Sequence, residues 1–132
     1  MPIHISISQA FLPLLEKASN GAKSSPIGIG RATVVNISTF LASIELDTGA
    51  YLAYRVSKTA LNMATHTIAV DLIKKGILTV PLHPGWVQTD MGGAEAPLTI
   101  DEAVGSIVNT LEGLTESDNG KFTTFDAKTL PW

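Results

Sequence analysis

The stretch Ala32-Thr33-Val34-Val35-Asn36-Ile37-Ser38 decides the fold. It is short, β-branched and almost unbroken in apolar character, a pattern that fits a strand buried on both faces of a parallel sheet. Upstream, Ile3, Ile7, Phe11, Leu14, Leu15 and Ala18 recur at helical spacing, so residues 3–19 read as an amphipathic helix, bent or tightened near Pro13 and ending in Ser19-Asn20-Gly21. Downstream, Tyr51 to Lys75 has helical periodicity and no Gly or Pro, and it stops at Lys74-Lys75-Gly76 with basic residues in the last turn.

The same alternation continues to the end of the chain. Ile77 to Leu82 reads as a second buried strand, weakened by Pro81, which has no N–H to give to a central ladder. A Gly- and Pro-rich loop from Pro84 to Pro97 follows. Thr99 with Glu102 forms a capping box that opens a third helix reaching Leu114. Residues 120–125 read as a last strand, followed by the tail DAKTLPW. Three helices alternating with three strands give an α/β class with parallel strands joined by right-handed crossovers.

Composition narrows the function. The chain has 132 residues, 45% hydrophobic and 16% charged, with net charge −3, enough apolar content for one domain and no basic footprint for nucleic acid. It has no cysteine, which excludes disulfides and thiolate metal sites and fits a reducing compartment. His4, His66 and His83 lie far apart with no ligand partner one helical turn away, so no metal site is expected. The N-terminus lacks the basic start of a signal peptide, and no apolar run reaches the roughly 20 residues that span a bilayer. A soluble, cytoplasmic protein is expected, with neither nucleic acid nor membrane as a partner.

Ligands of open α/β sheets bind at the carboxyl ends of the strands. Here those ends carry Ser38-Thr39 and His83-Pro84-Gly85, and the helix bearing Tyr54-Arg55-Val56-Ser57-Lys58 starts near the first. Tyr54 and Lys58 share one helix face, four residues apart. A phenol titrates near 10, and a fixed ammonium beside it favours the phenolate, so such a pair can exchange a proton with an alcohol or a developing alkoxide.

VVNIST, YRVSKTALN and HPGWVQTDMGG, in this order and at these separations, resemble the short-chain dehydrogenase/reductase family. APLT and the closing GKFTTFDAKTLPW resemble its carbonyl-reductase-like branch, related to the sniffer and C-factor proteins. The resemblance covers nearly the whole chain and implies the C-terminal half of a doubly wound, Rossmann-type sheet, one partial domain over 1–132. It implies an enzyme that uses NADP or NAD, NADP being favoured, to reduce a small-molecule carbonyl or oxidise a secondary alcohol.

The resemblance also assigns roles. Tyr54 matches the general acid/base, and Lys58 the residue that holds the nicotinamide ribose and lowers the tyrosine's pKa. The family's strand ends in two serines, the second orienting the substrate carbonyl; Thr39 occupies that position and Ser38 the first, so Thr39 is favoured and Ser38 remains the alternative. Pro84, Gly85 and Thr89 match the loop that contacts the nicotinamide end. Asn36 matches a structural strand position, and Trp86, Met91 and Leu98 fall in the family's substrate loop; His83, just before the Pro-Gly turn, reads as a packed structural histidine rather than a proton carrier.

Two features are decoys. Gly28-Ile29-Gly30 looks like a phosphate loop, yet such a loop must follow a strand and open a helix, whereas this one follows a helix and enters a strand. Asp71 reads as a solvated charge on the long helix. The family's first half, with its Gly-rich turn and NAD/NADP-selecting residue, has no counterpart, and the asparagine of the family's catalytic set is expected at or before residue 1. Most of the cofactor's binding is expected to be lost with that half, and the VVNIS edge to be left unpaired. An alternative is therefore an inactive interaction module that dimerises with itself or a full-length relative through the 51–75 helix, whose Ala53, Ser57, Ala60 and Ala64 allow close approach.

Overall fold

A computed structural model describes residues 3–132. The expected asparagine of the catalytic set therefore lies outside the described residues. The chain runs α1 (Ile3–Gly21), β1 (Thr33–Ile37), α2 (Leu52–Leu72), β2 (Leu78–His83), α3 (Ile100–Gly113) and β3 (Thr123–Thr124), with single 3-10 turns at Phe40–Ala42, Ile73–Lys75 and Glu116–Asp118. The three strands form one parallel sheet in the order β1-β2-β3.

Alternation along β1 distributes its side chains to two layers. Val34 joins Ala32, Leu72 and Ile77 with Leu12, Leu15 and Ile68, which places α1 and α2 on one face. Val35 joins Leu78, Val80 and Leu114 with Ile27 and Leu111, which places α3 on the other. The sheet is thus wound on both sides, the doubly wound arrangement that the resemblance implies. Because β1, β2 and β3 advance in one direction with α2 and α3 on opposite faces, the two crossovers have opposite hands and one departs from the right-handed expectation.

β2 is the central strand, and Pro81 sits inside it. Leu78 N–H donates to the Ala32 carbonyl and Ser38 N–H to the Leu82 carbonyl, so even-numbered β2 residues turn their backbone to β1. Residue 81 faces β3 instead, and its missing N–H removes no bond from the β1 ladder. The register Leu82↔Thr123 aims position 81 toward the Lys121 carbonyl, which accepts from Thr123 Oγ1 at 3.2 Å instead.

Four expectations differ in detail. β1 is half-buried rather than enclosed on both faces, because it lies at the sheet edge. Tyr51 precedes α2 as its left-handed cap, and the helix tightens to a 3-10 turn at Ile73 before Gly76 ends it at φ 72°. The last strand spans Thr123–Thr124 alone, since upstream the Asn119 side chain takes the Thr79 N–H at 3.0 Å in place of a ladder bond. α1 runs unbroken through Pro13, held by Leu12 and Leu15 against the core.

Gly28 is explained by packing. A Cβ there would stand 2.8 Å from the Leu114 carbonyl oxygen, so this glycine lets the turn before β1 pass close to the end of α3. Asp71 is exposed and, among the described residues, pairs with Lys74 alone, at 3.9 Å.

Candidate active site

The carboxyl ends of β1 and β2 meet here. Phe40 lies edge-on to His83 with ring centroids 5.4 Å apart, and His83 is likewise edge-on to Phe125 at 6.3 Å. Ser38-Thr39 and Pro84-Gly85 follow these strands directly, so the two pairs are neighbours across the sheet top. Gly85 has φ 89°, and a Cβ on it would meet Leu98 Cδ1 at 2.5 Å and Phe125 at 3.1 Å. Only glycine turns the chain there without a clash.

The two hydroxyls at the end of β1 do different work. Ser38 is buried and donates to Asn62 Oδ1 at 2.6 Å, so its proton is committed to α2. Thr39 Oγ1 accepts from Leu41 N–H at 3.3 Å as the cap of the Phe40–Ala42 turn. A hydroxyl that accepts in this way keeps its own hydrogen to give. Beneath them, Asn36 Nδ2 donates to Thr65 Oγ1 at 3.0 Å, which ties the strand to the middle of α2.

Lys58 reaches from the second turn of α2 to the Ile37 carbonyl at 2.9 Å. This contact fixes the Tyr54–Lys58 face of the helix against the strand end that bears Ser38 and Thr39. Partial burial holds the Lys58 ammonium below the ordinary lysine value of 10.5. Tyr54 is partly open to solvent, one turn earlier on the same face. Burial between the aromatic rings likewise pushes His83 below the ordinary 6.5, opposed by the charge of Asp126. His83 Nδ1 finds no hydrogen-bond partner among the described residues.

Thr89 stands apart from this cluster. Its hydroxyl closes its own loop, accepting from Gly92 N–H at 3.0 Å, and the same loop is pinned by Trp86 Nε1 donating to the Gly92 carbonyl at 2.8 Å. The structure therefore brings Lys58, Ser38, Thr39, Pro84 and Gly85 to one sheet end, with Tyr54 one turn before Lys58 on the same helix face, and leaves Thr89 exposed on the loop beyond.

The lead-in to α2 carries strain. Ala50 at φ 63° and Tyr51 at φ 55° follow Gly49 at φ 83°, three consecutive residues in the left-handed region. The two non-glycine residues cost about 1–2 kcal/mol each. Arg55, buried at 8% exposure, grips this segment. Sequence reading passes over Arg55 and Asn62, since both fall at positions the Tyr-Lys spacing leaves open. The signals available were a cation in the helix face next to the pair, with Asp47 upstream, and an amide one turn beyond Lys58.

Among the described residues no group of three or more His, Cys, Asp or Glu is placed to hold a metal ion, and no helix is long and apolar enough to cross a membrane.

Residues 7–110 match the family described as enoyl-(acyl carrier protein) reductase. The chain is 47% identical to the carbonyl reductase Sniffer of Drosophila melanogaster and superposes on it with a TM-score of 0.97, covering 98% of this chain and 53% of that one. A carbonyl reductase from chicken fatty liver, solved with NADPH bound, is 40% identical with a TM-score of 0.85 over 95% of this chain and 51% of that one. The C-signal protein of Myxococcus xanthus is 42% identical over 101 residues, 75% of this chain and 60% of that protein. The chain belongs to the short-chain dehydrogenase/reductase family. It spans about half the length of the solved relatives it matches, 53% and 51% for the two reductases.

Proposed function

We propose that this chain carries the proton-transfer half of an NADP-dependent carbonyl reductase site. Tyr54 gives its phenolic proton to the substrate oxygen as negative charge develops there, and takes it back when a secondary alcohol is oxidised. Thr39 donates its free hydroxyl hydrogen to the same oxygen, while Ser38 serves α2 through Asn62. Lys58 anchors the helix face at the Ile37 carbonyl and offers its ammonium to ribose hydroxyls. The observation that carries this reading is the Lys58–Ile37 bond at 2.9 Å, which sets the Tyr54–Lys58 face over the strand end bearing Thr39.

The residues present fit one end of a nicotinamide cofactor. A half-buried ammonium, a free hydroxyl donor and the Gly85 turn suit the nicotinamide and its ribose. When bound, the nicotinamide supplies the hydride. For the diphosphate the fit fails: the Gly- and Pro-rich loop between β2 and α3 leads to a helix start already closed by the Glu102 carboxylate, which accepts Thr99 N–H at 2.9 Å, and Gly28-Ile29-Gly30 leads from a helix into a strand. NADP is favoured because relatives were solved with NADPH or NADP bound.

The test is turnover of small aldehydes and ketones with NADPH by the full chain. Tyr54→Phe is expected to lower the rate by about 10²–10⁴-fold, and Thr39→Ala to lower it more than Ser38→Ala does. A Tyr54→Phe variant as active as the parent would sink the assignment.

A second reading is favoured by one surface. The outer face of α2 exposes Leu52 at 78%, Val56 at 59% and Met63 at 67%. A groove of about 440 Å³ beside it is lined by Leu41, Ile44, Val56, Ala60 and Met63, on the side away from Tyr54 and Lys58. Such a face suits a module that pairs with another chain of the same family, and the Ala60→Arg variant tests it.

A further inference from the structure

Arg55 lies between the two residues of the Tyr-Lys pair, and nothing in the proposed chemistry uses it. It is nevertheless almost fully buried, and each of its bonds goes to the segment that precedes the helix. Nε donates to the Ala50 carbonyl at 3.0 Å and Nη1 to the Leu41 carbonyl at 3.1 Å. Nη1 also pairs with Asp47 Oδ1 at 3.1 Å, and that same oxygen accepts the Gly49 N–H at 2.8 Å.

The segment so gripped is the strained one. Gly49, Ala50 and Tyr51 are all left-handed, and Tyr51 gives its carbonyl to Arg55 N–H at 2.9 Å, the first backbone bond of α2. The helix that presents Tyr54 thus begins on a backbone that would relax if released. The planar guanidinium, with donors in a fixed fork, suits three acceptors spread over residues 41–50; a lysine ammonium at the same place is a single point of attachment.

We propose that Arg55 is a positioning residue, a clamp that holds the left-handed lead-in Gly49–Tyr51 and thereby fixes where the Tyr54 hydroxyl stands relative to Lys58 and Thr39. The inference rests on the reading of Tyr54 as proton carrier, but its geometry does not depend on turnover. Arg55 touches no reacting atom; it acts through Ala50 and the first turn of α2.

The chain has two tyrosines, Tyr51 and Tyr54, which makes the clamp directly observable. Full-length chain labelled with 3-fluorotyrosine gives two fluorine resonances, assigned with Tyr51→Phe. In Arg55→Lys, with secondary structure intact by circular dichroism, the Tyr54 line is expected to broaden and shift toward its position in the denatured chain. Adding Ala50→Gly is expected to restore it, because glycine adopts the left-handed conformation without help. Should Arg55→Lys alone fail to fold, the Arg55→Lys/Ala50→Gly double variant is expected to recover both the fold and the Tyr54 line.

A Tyr54 line unmoved in folded Arg55→Lys overturns the clamp, as does a double variant worse than the single one, the result of a merely packed arginine. NADPH binding, followed in the same samples, separates the two readings. A chain that binds no NADPH but loses its Tyr54 line in Arg55→Lys removes the proposed function and keeps the clamp. A chain that binds NADPH with a Tyr54 line indifferent to Arg55 does the reverse.

Discussion

His83 ends the central strand between Phe40 and Phe125, with burial as the main cause that holds its pKa below 6.5 and Asp126 acting against it. A histidine depressed in the folded state resists a proton that the unfolded chain accepts. Its contribution is therefore present above the ordinary value of 6.5 and is lost as pH falls through the lower folded value. Urea unfolding is expected to show stability declining from pH 7 toward pH 5, with a shallower decline in His83→Gln. Equal slopes for the two proteins would show that this ring is not the group responsible. His83 was legible as a packed residue because it precedes a Pro-Gly turn at the end of an apolar run. Arg55 was not, because its role is set by the fold of residues 41–50, and neither Ala50 nor Tyr51 announces a left-handed backbone as a glycine would.

Among the elements, the helices were read to within a few residues because each signals its ends. Thr99 caps α3 with the expected box, Thr99 Oγ1 accepting Glu102 N–H at 3.3 Å and Glu102 Oε2 accepting Thr99 N–H at 2.9 Å. Strands were harder. Pro81 argued against a central position, and only the pairing shows that its missing donor points away from β1. The expected strand over 120–125 shrank to two residues because Asn119 replaces ladder bonds, which no pattern of side-chain types reveals. The helix α2 buries one face on the sheet and leaves the opposite one apolar, a combination that favours a second helix packed on it. In sedimentation, the chain is expected to show a dimer at tens of micromolar concentration, and Ala60→Arg to shift it to monomer by placing a charge in that face. A parent that sediments as a monomer throughout would remove the second reading.

Across the whole molecule, the α/β class with parallel strands was legible from the alternation of periods, whereas the strand order β1-β2-β3, with α1 and α2 on one face and α3 on the other, is shown only by pairing and packing. The residues at the sheet end were legible through family resemblance joined to the rule that strand ends carry sites. What depends on three dimensions is the division of labour there. Ser38 and Thr39 are adjacent hydroxyls in the sequence, yet one is spent on Asn62 and the other keeps its hydrogen. The proposed function puts the nicotinamide end of the cofactor on Lys58 and its neighbours at that sheet end.

A fluorescence titration of the full chain with NADPH, alongside Lys58→Ala, tests that conclusion most directly. The expected result is saturable binding by the parent, weakened at least tenfold in Lys58→Ala, a loss of about 1.4 kcal/mol. Binding by a folded Lys58→Ala variant as tight as the parent's, or none by the folded parent, would contradict it.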